Sequence, residues 1–352
     1  MTSYQAVPTP ATLKALLPLP SAEAAFIEES RSTIGSILHG EDSRLLLIIG
    51  PCSIHDTDNA LEYGTRLAQL AKTVEDQLFV VMRVYYEKSR TSLGWRGLVY
   101  DPHLDDSCDI RAGLEITRKL LLQLTQLGLP IAAELLQPAA IHYMSDLLSW
   151  GCIGARTSTS QVHRQMASAL PFPIGIKNSL DGNLDSALFG VQVAAHPQSF
   201  LCHNEQGQLA IVHSSGNRHA HPVLRGGEHQ PNSDLSSVHQ LLVQLERHQL
   251  TPSLLLDCSH GNSGRLAVNQ IDQLLLLPDY LEQGLYGIRG ALIESQLFGG
   301  TQPMRARDEL HYGVSITDDC LGWEETEKLL LSLVEQLRKK NPKRKLASIG
   351  SV

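Results

Sequence analysis

Apolar positions along the chain follow two alternating rhythms. Short runs rich in Leu, Ile and Val occupy residues 44–49, 78–85, 131–135, 152–156, 173–177, 222–225, 253–258 and 288–293. Between them lie longer segments whose apolar residues recur every three or four positions: 59–72, 110–127, 139–150, 161–170, 184–195, 235–249 and 266–283, with a last one over 324–339. Short continuous apolar runs read as strands buried on both faces, and the longer spacing reads as amphipathic helix. Strand and helix in alternation predict an α/β fold with a parallel sheet and crossover helices. Eight units are what closes a (β/α)8 TIM barrel. An open doubly wound sheet is the alternative; eight units in one chain with no composition break favour closure.

Two segments lie outside this count. Residues 1–43 form an N-terminal extension, helical over 22–38, expected to build oligomer contacts or a regulatory site, with a simple packing extension as the alternative. Residues 199–221 read as an inserted β hairpin, with 199–203 and 209–213 flanking a turn at Gln206-Gly207. The catalytic barrel then takes 44–352. The basic run at 339–345 (KKNPKRK) reads as a solvated terminus.

Composition narrows the function. A chain of 352 residues, 42% hydrophobic, is enough for one large barrel. A formal net charge of −8 argues against a nucleic-acid binder while leaving room for a local basic pocket. No run approaches a membrane span, and the start shows no cationic region followed by an apolar core, so neither membrane insertion nor secretion is expected. The cysteines, Cys52, Cys108, Cys152, Cys202, Cys258 and Cys320, are scattered without a C-x-x-C pair, which reads as a reduced, cytoplasmic setting.

Barrel chemistry sits on the loops at the carboxyl ends of the strands. There the sequence places Cys52 after strand 1, Arg83 in strand 2 with Lys88, Arg90 and Thr91 beyond it, Glu134 in strand 3, Arg156 at strand 4, Lys177 at strand 5 and Arg225 at strand 6. Strand 7 ends in Asp257-Cys258-Ser259-His260, strand 8 in Glu294, and Asp318 follows in the next loop. Any one of these has an ordinary packing or surface explanation; the joint pattern does not. Cys52, His260, Glu294 and Asp318 offer sulfur, nitrogen and two carboxylates, a mixture suited to a divalent transition ion such as Mn, Fe, Co or Zn. Six cations on one rim of an acidic chain imply strongly anionic ligands. No P-loop, dinucleotide fingerprint or nucleophile elbow is present. His163, His239 and His248 fall on helical segments and receive no chemistry.

Several motifs carry a family resemblance. GPCSIH (50–55), MRVYYEKSRTSLGWRG (82–97), GART (154–157), LRGG (224–227), DCSHGNS (257–263) and YGVSITDDCLGW (312–323) resemble the type I 3-deoxy-D-arabino-heptulosonate-7-phosphate (DAHP) synthases, regulated by aromatic amino acids in bacteria and fungi. The likeness runs from about Ser32 to Leu337. It implies a metal-dependent transferase joining phosphoenolpyruvate to erythrose 4-phosphate, giving DAHP and phosphate at the entry to the shikimate pathway. It also implies Cys52, His260, Glu294 and Asp318 as metal ligands, and Arg83, Lys88, Arg156, Lys177 and Arg225 as holders of phosphoenolpyruvate. Arg90 and Thr91 then meet the aldose phosphate. Lys88 is the candidate for proton handling, its cationic neighbours being expected to lower its pKa; Glu134 is the candidate for orienting water. Family members are often inhibited by Phe, Tyr or Trp near the extension and the hairpin, where Ile141, His142 and Pro171 fall, and they assemble as homodimers or homotetramers.

The chain departs from the family pattern at Ser89, Arg96, Gln137, Thr159, Ser179, Leu180 and Ser233. None is a proposed metal ligand or anion-binding cation, so substrate preference and rate are touched more than reaction class. Three rivals stand beside this reading: a metal-free aldolase using Lys177 as a Schiff base, a sister synthase taking another aldose phosphate, and a degenerate paralogue that only binds an aromatic amino acid or a partner. Chelator sensitivity, an aldose panel and measured turnover separate them.

Overall fold

The run LLLIIG at Leu45–Gly50 forms a strand (β1) whose every residue is buried. The alternation of side chains along it divides two cores. Leu45, Leu47 and Ile49 pack outward against helices, while Leu46 and Ile48 join an inner cluster with Val81, Tyr85, Trp150, Val223, Leu255 and Leu292. Strands buried on both faces in this way belong to parallel sheets covered by helices. The computed structural model describes residues 2–340.

The chain begins with α1 (Pro10–Leu16) and α2 (Ser21–His39), followed by β1. Then come α3 (Thr57–Val74), β2 (Leu78–Arg83), α4 (Ile110–Gln126), β3 (Ile131–Glu134), α5 (Pro138–Met144), β4 (Trp150–Ile153), α6 (Gln161–Ala169), β5 (Ile174–Lys177) and α7 (Asp185–Ala195). The remainder is β6 (Gln198–His203), β7 (Leu209–Ser214), β8 (His221–Leu224), α8 (Leu235–Arg247), β9 (Leu254–Asp257), α9 (Asn269–Glu282), β10 (Ile288–Glu294) and α10 (Trp323–Lys340). Eight parallel strands close in the order β1-β10-β9-β8-β5-β4-β3-β2, so the expected (β/α)8 barrel is the observed fold. Closure is made by β1 against β10, Leu46 opposite Gly290 through Gly50 opposite Glu294.

β6 and β7 form the inserted hairpin as a separate antiparallel pair. α2 lies outside the barrel sequence but contributes Ile34, Ile37 and Leu38 to the inner cluster, so the extension is packed onto the barrel itself. α1, which the apolar spacing does not reveal, starts with Thr9 as N-cap and Pro10 at its first turn, and docks on the hairpin through Ala11 N–H to Glu205 O and Lys14 to Glu205.

Most boundaries shift by one to three residues, and the largest change lies around β4. The segment 139–150, read as one helix, stops at Met144, passes through a 3-10 turn at Ser145–Leu147, and yields Trp150 to β4. Trp150 is fully buried in the barrel interior, where its indole N–H donates to His221 Nε2; that tertiary contact outweighs the helical spacing. β4 therefore ends at Ile153, and Arg156 stands in the loop rather than at the strand end. The basic run at 339–345 lies outside the described residues from position 341 onward.

Candidate active site

The site is assembled where the carboxyl ends of β1, β2 and β10 converge. A Cβ on Gly50 would stand 2.6 Å from Arg83 O, so glycine lets β1 and β2 approach and sets Cys52 beside Arg83. Arg83 donates from Nε to Pro51 O and from Nη2 to Cys52 O, and pairs with Glu294 Oε1 at 2.7 Å. Arg83 and Glu294 are each 2% exposed, and the guanidinium also lies over the Tyr85 ring. Gln270, at the start of α9, clamps Glu294 from behind: its Oε1 accepts from Glu294 N–H and its Nε2 donates to Glu294 O.

Cys52 Sγ, Glu294 and Asp318 bring one donor atom each within 4.8 Å of one another. Cys52 Sγ donates to Asp318 Oδ2 at 3.1 Å, and Lys88 Nζ reaches both, at 2.8 and 2.9 Å. His260, the fourth expected ligand, falls outside that tight group but adjoins it, Nε2 standing 3.7 Å from Glu294 Oε1. Its Nδ1 meets Asp257 Oδ2 at 3.0 Å and Ser259 Oγ at 2.7 Å. A carboxylate holding one ring nitrogen leaves the other free, the arrangement that orients a histidine toward a metal. One thiol and two carboxylates grouped together, with an imidazole beside them, fit a divalent transition ion.

Charge is arranged around this centre. Burial, with the Glu294 carboxylate second, pushes the Cys52 thiol up to about 12, so a cation is what would draw off its proton. The expectation that cationic neighbours lower the Lys88 pKa is corrected. Burial alone lowers it, but Cys52, Asp318 and Glu294 outweigh that and the shift is upward. Lys88 is an ammonium held among anions. It in turn pulls the Asp318 carboxyl well below the usual range.

The anion-binding residues line one cavity of about 240 Å³. Arg83, Lys177 and Arg225 are buried in its floor; Arg90, Thr91 and Arg156 are exposed at its rim, where Arg156 Nε donates to Thr91 Oγ1 at 2.8 Å. Lys88, Glu134, His260, Glu294 and Asp318 also face it, and Cys52 sits beneath, fully buried. Every residue singled out from the sequence thus reaches one place. Missing from that set are Asp257, which pairs with Lys177 at 2.7 Å as well as with His260, and Arg265, another cation on the cavity wall. Asp257 was visible as a charged residue ending an apolar strand; Arg265 carried only its position in the same loop.

The DAHP synthetase I family model matches residues 20–331. The chain belongs to this family. As a member of the DAHP synthetase I family it is a metal-dependent 3-deoxy-7-phosphoheptulonate synthase, condensing phosphoenolpyruvate with erythrose 4-phosphate to DAHP and phosphate. Similar proteins agree. The Tyr-sensitive phospho-2-dehydro-3-deoxyheptonate aldolase of Salmonella typhimurium is 46% identical over 338 residues, 96% of this chain and 95% of that one. The Phe-sensitive enzyme of Escherichia coli is 43% identical over 329 residues, 94% of each chain. The solved structure of the Francisella tularensis SCHU S4 aldolase superposes with a TM-score of 0.94 at 38% identity, covering 97% of this chain and 99% of that one. Among the described residues no helix is long and apolar enough to cross a membrane.

Proposed function

We propose that Cys52, His260, Glu294 and Asp318 hold one divalent transition ion, Mn, Fe, Co or Zn, and that the surrounding cations carry the two substrates. The proximity of Cys52 Sγ, Glu294 and Asp318 beside Lys88 Nζ carries this reading. The bound ion would supply Lewis acidity at the aldehyde oxygen. Arg83, Lys88, Arg156, Lys177 and Arg225 neutralise and orient the phosphate and carboxylate of phosphoenolpyruvate, so that little orientational entropy is left to lose when its C3 bonds to the aldehyde carbon. Arg90 and Thr91 take the aldose phosphate at the rim. Lys88 holds a proton at Nζ for the aldehyde oxygen as negative charge develops there. Glu134 orients the water that adds at C2, after which the C2–O bond to phosphate breaks. Lys177, paired with Asp257 as an ammonium, suits anion binding better than Schiff-base attack.

Metal content and turnover test this together. Purified protein should lose phosphoenolpyruvate-consuming activity with a chelator and regain it with the ion. Cys52→Ala should stay folded by circular dichroism while binding the ion weakly. Full turnover in the chelated protein would overturn the ligand assignment.

The same reading extends to regulation and assembly: a cytoplasmic homodimer or homotetramer inhibited by an aromatic amino acid, with residues 1–43 and the hairpin of the 44–352 barrel forming contacts and effector site. Relatives named Tyr-sensitive and Phe-sensitive support the effector class. The contact of Cys202 Sγ with His142 Nε2, at 3.8 Å, supports a site between the hairpin and α5. Free cysteines throughout support the reducing compartment. Adding each aromatic amino acid to the assay, and sizing the protein in solution, tests these points.

A further inference from the structure

Glu87 has no role in the chemistry above, yet it is a buried carboxyl in the segment that presents Lys88, Arg90 and Thr91. Its Oε1 accepts from Tyr100 OH at 3.0 Å, and its Oε2 accepts from the Leu136 N–H at 3.4 Å, two residues beyond Glu134. The other side of Leu136 is also held: its carbonyl accepts from His163 Nε2 at 2.8 Å, and His163 Nδ1 meets Ser160 Oγ at 2.8 Å at the start of α6. The chain running from Glu87 through Leu136 to His163 therefore crosses three successive loops of the barrel rim. They follow β2, β3 and β4; the first carries Lys88–Thr91, the second continues from Glu134 at the end of β3, and the third carries Arg156. At their outer edge Arg156 donates to Thr91, closing the loop of contacts.

The backbone is shaped for this. Gly97 has φ 112°, and a Cβ there would lie 2.4 Å from Tyr86 O and 2.6 Å from Glu87 Cα. Only glycine lets residues 96–100 fold over Glu87, bringing Tyr100 to its carboxylate and Arg96 O to the Lys88 N–H at 2.8 Å. Glu134 from β3 is the charged group that acts on Glu87, and Arg96 stacks on the far partner, the Tyr100 ring. Burial raises the Glu87 carboxyl to about 7, against the opposing pull of Tyr100 and the Leu136 and Gln137 N–H groups. A carboxyl buried at a cost to the ionised fold, next to a substrate segment, points to function rather than stability.

We propose that Glu87 is a positioning residue which, through the Leu136 peptide and His163, locks the loops after β2, β3 and β4 into one unit and so fixes the aldose-phosphate contacts Arg90 and Thr91 relative to Glu134. The proposal rests on the assignment of Arg90 and Thr91 given above. Phosphoenolpyruvate depends less on this lock: Lys88 and Arg156 stand within it, but Arg83, Lys177 and Arg225 are buried and held by the barrel strands.

The test uses the metal-loaded full chain with phosphoenolpyruvate and erythrose 4-phosphate. Glu87→Ala should raise KM for erythrose 4-phosphate between about tenfold and a hundredfold while KM for phosphoenolpyruvate, with three of its five contacts outside the lock, rises by about fivefold or less. His163→Ala should give the same split, and the double variant should be no worse than the more impaired single. Glu87→Gln keeps an acceptor for Leu136 and a donor for the Tyr100 hydroxyl, so it should restore most of the loss. Hydrogen exchange provides a readout independent of turnover: Glu87→Ala should speed exchange at both 88–100 and 134–137, whereas a rise confined to 88–100 overturns the lock. Arg90→Ala separates the two readings. If it raises KM for the aldose phosphate and folded Glu87→Ala does not, the positioning role is refuted. If Arg90→Ala has no effect, the phosphate assignment fails instead, and exchange alone decides the coupling.

Discussion

Gly154→Ala separates the chemistry of the site from the stability of the fold. Gly154 follows β4, and a Cβ built there would stand 1.9 Å from Glu134 Oε1, with Glu134 Cδ at 3.0 Å and Cγ at 3.7 Å; no other residue comes within the three nearest atoms. Ordinary contact begins near 3.4 Å, so the carboxylate oxygen must retreat by roughly 1.5 Å, a rotation whose cost is on the order of 1 kcal/mol. Gly154 has no left-handed φ, so alanine brings no backbone strain. The fold should therefore lose about 1 kcal/mol or less in a denaturant titration. Catalysis should suffer far more, because a displacement of about 1 Å at a reacting group costs roughly a hundredfold. If Glu134 orients the attacking water, kcat should fall about a hundredfold with KM for phosphoenolpyruvate little changed. Gly154→Ala and Glu134→Ala should not add in the double variant. Wild-type kcat in folded Gly154→Ala would refute the role of Glu134 as seen in this conformation.

Three other outcomes follow from buried charge. In metal-free protein, Arg83→Met leaves Glu294 buried without its partner and should cost about 3–5 kcal/mol, read as a lower denaturation midpoint; an unchanged midpoint would mean Glu294 finds another cation. Asp257→Asn should weaken ion binding by roughly 10–100-fold in a chelator competition, because His260 Nδ1 loses its carboxylate partner; unaltered affinity would remove His260 from the ligand set or Asp257 from its support. For Glu87, burial raises the carboxyl to about 7, above the ordinary glutamate value of about 4.5. Its contribution to stability is fully present below pH 4.5 and is lost as pH rises through 7. Glu87→Gln should then stabilise the fold at pH 8 relative to pH 5, by up to roughly 3 kcal/mol. Parallel stability curves for the two proteins would contradict the burial argument.

The barrel was legible because strands buried on both faces leave an uninterrupted apolar signature, as in LLLIIG at 45–50, and because such strands have little reason to end in Arg, Lys or Glu unless those residues are used. What escaped notice depended on partners distant in sequence. Trp150 continues the helical spacing of 139–150, and only His221 and the barrel interior draw it into β4. Lys88 stands next to cations in the chain but next to Cys52 and Asp318 in space, which reverses the direction of its titration. Asp257 and Lys177 are 80 residues apart, so their pairing had no local trace. Glu87 stands beside Lys88, Ser89 and Arg90 with no local sign of burial, which follows from the fold-back at Gly97. By contrast, α1 has a local signal in the chain, the Thr9-Pro10 start of a short helix.

The closing of β1 on β10, with Leu46 opposite Gly290, sets a timetable for birth of the molecule. At ribosomal rates of ~5–20 residues per second, β1 leaves the exit tunnel tens of seconds before the strand that will complete it exists. For that interval an uncharged edge, LLLIIG, is open on one side, the kind of template on which nascent chains stick to one another. The apolar edge of β1 is therefore exposed to unwanted pairing during translation and no longer once β10 has closed on it.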